Sequence, residues 1–133
     1  MEQIKNDMKS NEDILNEFGK KIIEGCIDPA LGNLLSLRKK ENPPILFKEY
    51  TELFKKLDDN DFKILKKYLA ESLGGLTFNI LRVFEENEQF KISYDNDGHQ
   101  INLLEISEDL KAEPIIENGW IQRFSKELNN ETT

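Results

Sequence analysis

Residues 60–87 read NDFKILKKYLAESLGGLTFNILRVFEEN, and residues 88–104 continue as EQFKISYDNDGHQINLL. At about 100° per residue, Phe62, Leu65, Leu69, Leu73, Leu76, Ile80 and Phe84 fall within one arc of roughly 100°. The seam crosses Gly74-Gly75 without a break in phase, which predicts one long helix over about 60–87. Each glycine costs about 1 kcal/mol relative to Ala in a helix interior. Close approach of another backbone, or a kink, is the physical reason to expect them there. Phe78, Leu81 and Val83 make the second half apolar over most of its circumference, so this helix is expected to be the central, most buried element. After Glu88 the period falls to two: Phe90, Ile92 and Tyr94 alternate with Lys91, Ser93 and Asp95. Asn96-Asp97-Gly98 is a tight-turn signal. A β-hairpin is therefore expected over about 89–104, held by packing on the helices.

Outward from this core, Ser10 followed by Glu12 and Asp13 reads as a capped helix start. Ile14, Leu15, Phe18, Ile22 and Ile23 follow at helical spacing, up to Gly25. Asp28-Pro29 predicts a second helix start with Leu31, Leu34, Leu35 and Leu37 as its stripe. Asn42-Pro43-Pro44 breaks the chain, but too few residues precede it to bury a separate core. A third helix carries Phe47, Tyr50, Leu53, Phe54 and Leu57. On the C-terminal side, Ser107 predicts a short helical turn before Pro114, and Asn118-Gly119 leads into a last helix with Trp120, Ile121, Phe124 and Leu128. The expected fold is α+β, mainly α: a single domain over 1–133, about five helices around the long one, with one hairpin. The polar ends, 1–10 and 129–133, are expected to be loose.

With 38% hydrophobic and 33% charged residues, the 133-residue chain is too apolar for a disordered segment. It contains no run of the roughly 20 apolar residues that span a bilayer. No secretory signal is visible, and the expected setting is soluble and cytoplasmic. One Cys and one His exclude a disulfide framework and a zinc site built from several such ligands. The net charge of −8 is unevenly placed. Residues 85–118 hold ten acids, opposed by Lys91 and Lys111 alone, and the rest of the chain is balanced. Such a field disfavours nucleic acid and anionic membrane and favours a basic protein partner. A purely solubilising face is the plain alternative.

Individual motifs add little chemistry. Placing Gly98 at the sixth position of a calcium loop puts Ser93 at the first and Leu104 at the twelfth, where carboxylates are required. His99 flanks the turn and is expected to face solvent. Cys26 is expected to be a small buried hydrophobe. Lys55, Lys56, Lys63, Lys66 and Lys67 read as a solvated face, and Trp120 as a core residue. No phosphate loop or nucleophile elbow occurs, and no cofactor or metal is expected. Glu85, Glu86 and Glu88 stand at the C-terminus of the long helix, where negative charge is unfavourable by up to about 1 kcal/mol.

The stretch LDDNDFKILKKYLAESLGGLTFNILRVFEE, then a polar hairpin, then ENGWIQRFSKEL, spans Leu57 to Leu128, a little over half the chain. It resembles small bacterial families of unknown function, of the kind read as immunity proteins or accessory proteins of mobile elements. The resemblance implies a mostly helical fold with a small hairpin and transfers no functional residue. The leading expectation is a non-enzymatic immunity or inhibitor protein that binds a basic partner. Glu85, Glu86, Glu88, Asp95, Asp97, Glu108 and Asp109 would form its binding surface. A metal- or carboxylate-dependent enzyme using some of the same acids is the alternative. A homo-oligomeric scaffold using Trp120 and the helix seam is a third reading.

Overall fold

The computed structural model describes residues 8–129. Its elements in order are α1 (Asn11–Ile22), a π-helical turn (Ile23–Ile27), α2 (Asp28–Lys39), a 3-10 turn (Ile45–Phe47), α3 (Lys48–Lys56) and α4 (Asp59–Glu86). A hairpin of β1 (Ser93–Asn96) and β2 (His99–Asn102) follows, then α5 (Leu103–Ile106), a 3-10 turn (Leu110–Ala112), α6 (Trp120–Phe124) and α7 (Lys126–Asn129). The α+β, mainly helical architecture is as expected. The helices predicted from periodicity are joined by short helical pieces near the C-terminus that a single turn of sequence does not announce.

Helix α4 runs unbroken for 28 residues through both glycines. The Asp58 side chain caps it, accepting from Asp61 N at 2.7 Å. Its buried face carries Phe62, Lys66, Ala70, Gly74 and Leu81. That face is turned from the expected seam. Leu76 and Ile80 are 54% and 50% exposed, because the C-terminal elements reach α4 on the Gly74 and Leu81 side. The seam therefore leaves the core half-way along the helix.

The first two helices form one continuous rod. Gly25 does not end α1. The chain widens into a π turn, with Asp28 N donating to Ile23 O, and passes directly into α2. Pro29 supplies the reason: it has no N–H for Gly25 O and its ring would press on that carbonyl in a regular helix. The expected capping role of Asp28 is corrected accordingly. Asp28 is helical and buried, and its carboxylate serves the far end of the chain. It accepts from Ser125 Oγ at 2.6 Å and Lys126 N at 2.8 Å. This is why the last helix appears as two pieces, α6 and α7, divided at Ser125. Cys26, expected to be buried, is exposed on the π turn, while its neighbours Ile23 and Ile27 point inward.

Trp120 is the centre of the fold, with no exposed surface. Its indole lies flat against the backbone of α1 at Gly19, where a Cβ would stand 2.5 Å from Cδ1 and Cε2. It meets Phe18 edge to face, with ring centroids 5.6 Å apart. Around it cluster Ile23, Ile27, Leu31, Ala70, Leu81, Leu103 and Leu110. Lys66, expected on a solvated face, is buried and donates to Glu127 O at 3.1 Å. Its ammonium thereby ties α4 to α7.

The hairpin is shorter than expected, at residues 93–102, with Tyr94 paired to Ile101 and Asn96 to His99. Asp97 and Gly98 both have positive φ, 54° and 90°, the two-residue turn that matches strand twist. Asn96 is buried, and its amide exchanges two hydrogen bonds with the Lys9 backbone, at 2.9 and 3.1 Å. So the end of the leader at residues 8–10, expected to be loose, is clasped to the hairpin. Residues 1–7 and 130–133 lie outside the described residues.

Candidate functional site

Four of the seven acids expected to bind a partner come together. Glu85 lies in the last turn of α4, Glu88 follows the helix, and Glu108 and Asp109 lie in the loop after α5. With Glu105 of α5 they line a single open groove of about 410 Å³. Two separate stretches, 85–88 and 105–109, thus place five carboxylates around one depression. Glu105 belongs to the acidic stretch but was not among the residues singled out. Its place depends on α5, a four-residue helix capped by Asn102, whose side chain accepts from Leu104 N at 3.0 Å.

The remaining three acids are elsewhere. Glu86 faces Arg82, with 3.8 Å between Oε2 and Nε. Asp95 and Asp97 sit at the hairpin turn, and Asp95 Oδ1 accepts from Gly98 N at 2.8 Å. The groove borders the open end of the hairpin at Lys91 and Asn102. Four strand residues, about 13 Å, separate that end from the turn. Asp95 therefore serves the turn, and neither it nor Asp97 lines the groove.

The groove is also aromatic. Phe84 and Phe90 line it, and Phe90 is 55% exposed. Lys91 lines one side, and Lys111 stands at the edge, 2.9 Å from Glu85 Oε2 and 2.8 Å from Asp109 Oδ1. The hydrogen bonds that the Lys111 ammonium donates to Asp109 and then to Glu85 hold it above its ordinary pKa. Lys111 neutralises part of the charge and fixes the α4 end against the 109–111 loop. Glu88, Glu105 and Glu108 make no ion pair among those found in the described residues. Chemically, the arrangement suits a cationic side chain: carboxylates supply charge and acceptors, and a phenyl face supplies a cation–π surface.

Among the described residues no group of three His, Cys, Asp or Glu side chains is placed to hold a metal ion. No helix there is long and apolar enough to cross a membrane. A second, larger groove of about 740 Å³ runs along the other half of α4. It is mainly apolar, lined by Ile64, Gly75, Ile115 and Ile121, with Lys63 and Lys67 at its side. No protein-family model, curated protein or solved structure matches the chain.

Proposed function

We propose that the chain is a non-enzymatic binding protein of the immunity or inhibitor type, whose acidic groove receives a basic surface of a protein partner. The observation that carries this reading is the convergence of Glu85, Glu88, Glu105, Glu108 and Asp109 from two separate stretches, 85–88 and 105–109, onto one groove with aromatic walls. A merely solubilising face needs charge but no convergence. An arginine or lysine entering the groove meets carboxylates on several sides and a ring beneath. The unbalanced field of residues 85–118 steers such a partner, so association slows steeply with salt. A nuclease-type partner fits the same logic, since its substrate cleft is basic, and the resemblance of residues 57–128 to immunity-type families agrees with it.

The test compares two variants of equal charge. One carries Glu88→Gln, Glu105→Gln and Glu108→Gln in the groove. The other carries Glu86→Gln, Asp95→Asn and Asp97→Asn outside it. Binding of a fluorescent arginine-rich peptide is followed by anisotropy at low salt. The groove variant should bind about tenfold more weakly than wild type, equivalent to about 1.4 kcal/mol, and the outside variant within about twofold. Equal weakening by both variants would reduce the groove to a diffuse charged surface.

A further inference from the structure

Helix α4 carries four basic residues, Lys63, Lys66, Lys67 and Arg82, and two of them are engaged within the chain. Lys66 is buried and donates to Glu127 O, and Arg82 faces Glu86 at 3.8 Å. Lys63 and Lys67 are exposed and make no ion pair among those found in the described residues. They stand one turn apart on the same side of the helix, and both line the apolar groove of about 740 Å³. The acids nearest to them in the chain are turned elsewhere. Asp58 caps the helix, Asp59 pairs with Arg38 at 3.2 Å, and neither these nor Asp61 lines the groove. Glu127 Oε1 reaches across to α2, where it would stand 3.0 Å from a Cβ at Gly32.

The groove changes character along its length. Asn60, Lys63 and Lys67 form the end nearest the start of α4. At 1.5 Å per residue Gly75 lies about 18 Å beyond Lys63, and there the lining is Gly74, Gly75, Pro114, Ile115 and Ile121. Ile115 and Ile121 close on Gly74, where a Cβ would lie 3.1 Å from Ile115 Cγ2 and from Ile121 Cδ1. At Gly75 nothing among the described residues outside its own helix turns lies within 4 Å of that position. The apolar end is therefore walled on one side by the two isoleucines and left open on the other by a glycine.

We infer that this groove binds a free amphiphile with an anionic head, of the alkyl carboxylate class. The head sits between Lys63 and Lys67, and the tail lies along α4 toward Gly75 and Ile115. The volume falls in the range of about 300–1,000 Å³ typical of small-molecule sites, which are mainly apolar with a few convergent polar groups. Two ammonium groups one turn apart, without other partners among the described residues, converge on a single carboxylate and donate charge-assisted hydrogen bonds to it. Glu71 also lines the groove, one turn beyond Lys67. It repels an anionic head from the middle of the groove and so sets the direction in which the molecule lies. A helical peptide would bring charge at every turn to a groove that is basic at one end only, whereas one head and one tail match the gradient.

The inference goes beyond the function proposed above and does not rest on it, because no residue of this groove lines the acidic one. The full chain is titrated with decanoate below its micelle-forming concentration, followed by calorimetry and by methyl NMR. Decanoate should saturate a single site and shift the methyl signals of Ile115 and Ile121. Decyltrimethylammonium, with the same tail and the opposite head, should bind about tenfold more weakly. Butyrate, which keeps the head and loses most of the tail, should not saturate. Lys63→Gln with Lys67→Gln should weaken decanoate about tenfold and leave the uncharged decanol within about twofold. Gly75→Gln places an amide at the apolar end and should weaken decanoate and decanol alike, with helicity and melting temperature undiminished. The inference is overturned if decanoate fails to saturate, if the cationic amphiphile binds as tightly, or if the shifted signals lie away from Ile115 and Ile121. An acidic peptide or an anionic vesicle that binds through Lys63 and Lys67 where decanoate does not would give the groove to a macromolecular surface and overturn it equally.

Discussion

Gly19 and Gly75 are both helical glycines, and the structure treats them oppositely. At Gly19 the indole of Trp120 occupies the space where a Cβ would be, and the ring is fully buried with Phe18 at its edge. At Gly75 nothing among the described residues lies within 4 Å of that space. The first glycine is needed by the fold of its own chain, because the tryptophan is drawn onto the helix backbone. The second weakens its helix and has no such use among the described residues. Around Trp120 the molecule is built as an interlocked core, and along the outer face of α4 it is left as a surface. Substituting each glycine is therefore the most direct way to break or sharpen the contrast.

The largest effect is expected at Gly19. In an isolated helix Gly19→Ala would gain about 1 kcal/mol. Here the added methyl meets rigid ring atoms, and overpacking a filled core costs about 1–3 kcal/mol and occasionally more. Packing wins over propensity, and a net loss of about 2 kcal/mol is expected, read as a lower urea midpoint at unchanged slope. Removing the obstacle as well should reveal the hidden propensity term. In the Trp120→Ala background Gly19→Ala should be neutral or stabilising, a double-mutant coupling that a purely local effect would not produce.

Next is the latch that closes this core. Asp28 sits in the middle of the first helical rod yet holds the other end of the chain through Ser125 Oγ and Lys126 N. Hydrogen bonds to a charged acceptor contribute about 1.5–3 kcal/mol. Asp28→Ala should lower stability by about 2 kcal/mol and detach α7 first, seen as faster amide exchange at Lys126 and Leu128 than in α4. Asp28→Asn keeps one acceptor and should lose about half as much. Uniform destabilisation, with α7 exchanging no earlier than α4, would show that the latch does not act locally.

These differences also mark how far the sequence could be read. The long helix and the turn at Asp97-Gly98 were legible because each is written in local chemistry: a sustained 3.6-residue period, an Asp58 cap, a pair of residues that tolerate positive φ. The burial of Trp120 was legible from its apolar neighbours Ile121 and Phe124. What covers each face was not. Periodicity shows that Leu76 and Ile80 share a side with Phe62, but not that the short elements after residue 102 pack on another side. Asp28 reads as a helix cap beside Pro29, and only the π turn frees it for a partner almost a hundred residues away. The acidic site was half legible. Composition located the charge in residues 85–118, yet the split between the groove and Glu86, Asp95 and Asp97 depends on how the hairpin folds back. Glu105 was missed because a four-residue helix leaves no periodic trace.

The smallest effect is expected at Gly75, and its sign matters more than its size. A methyl there meets nothing among the described residues. Gly75→Ala should therefore relieve part of the entropic cost of ordering glycine and stabilise the fold by about 0.5–1 kcal/mol. Urea unfolding at the lowest workable protein concentration isolates this from any association, since a ligand or partner bound only to the folded state would add its own stabilisation. An increase in midpoint here beside a decrease at Gly19 would establish that one glycine serves the core and the other does not. A decrease at Gly75 of the size expected at Gly19 would mean that some part of the chain covers α4 in solution, and the open face would then have to be assigned to the fold itself.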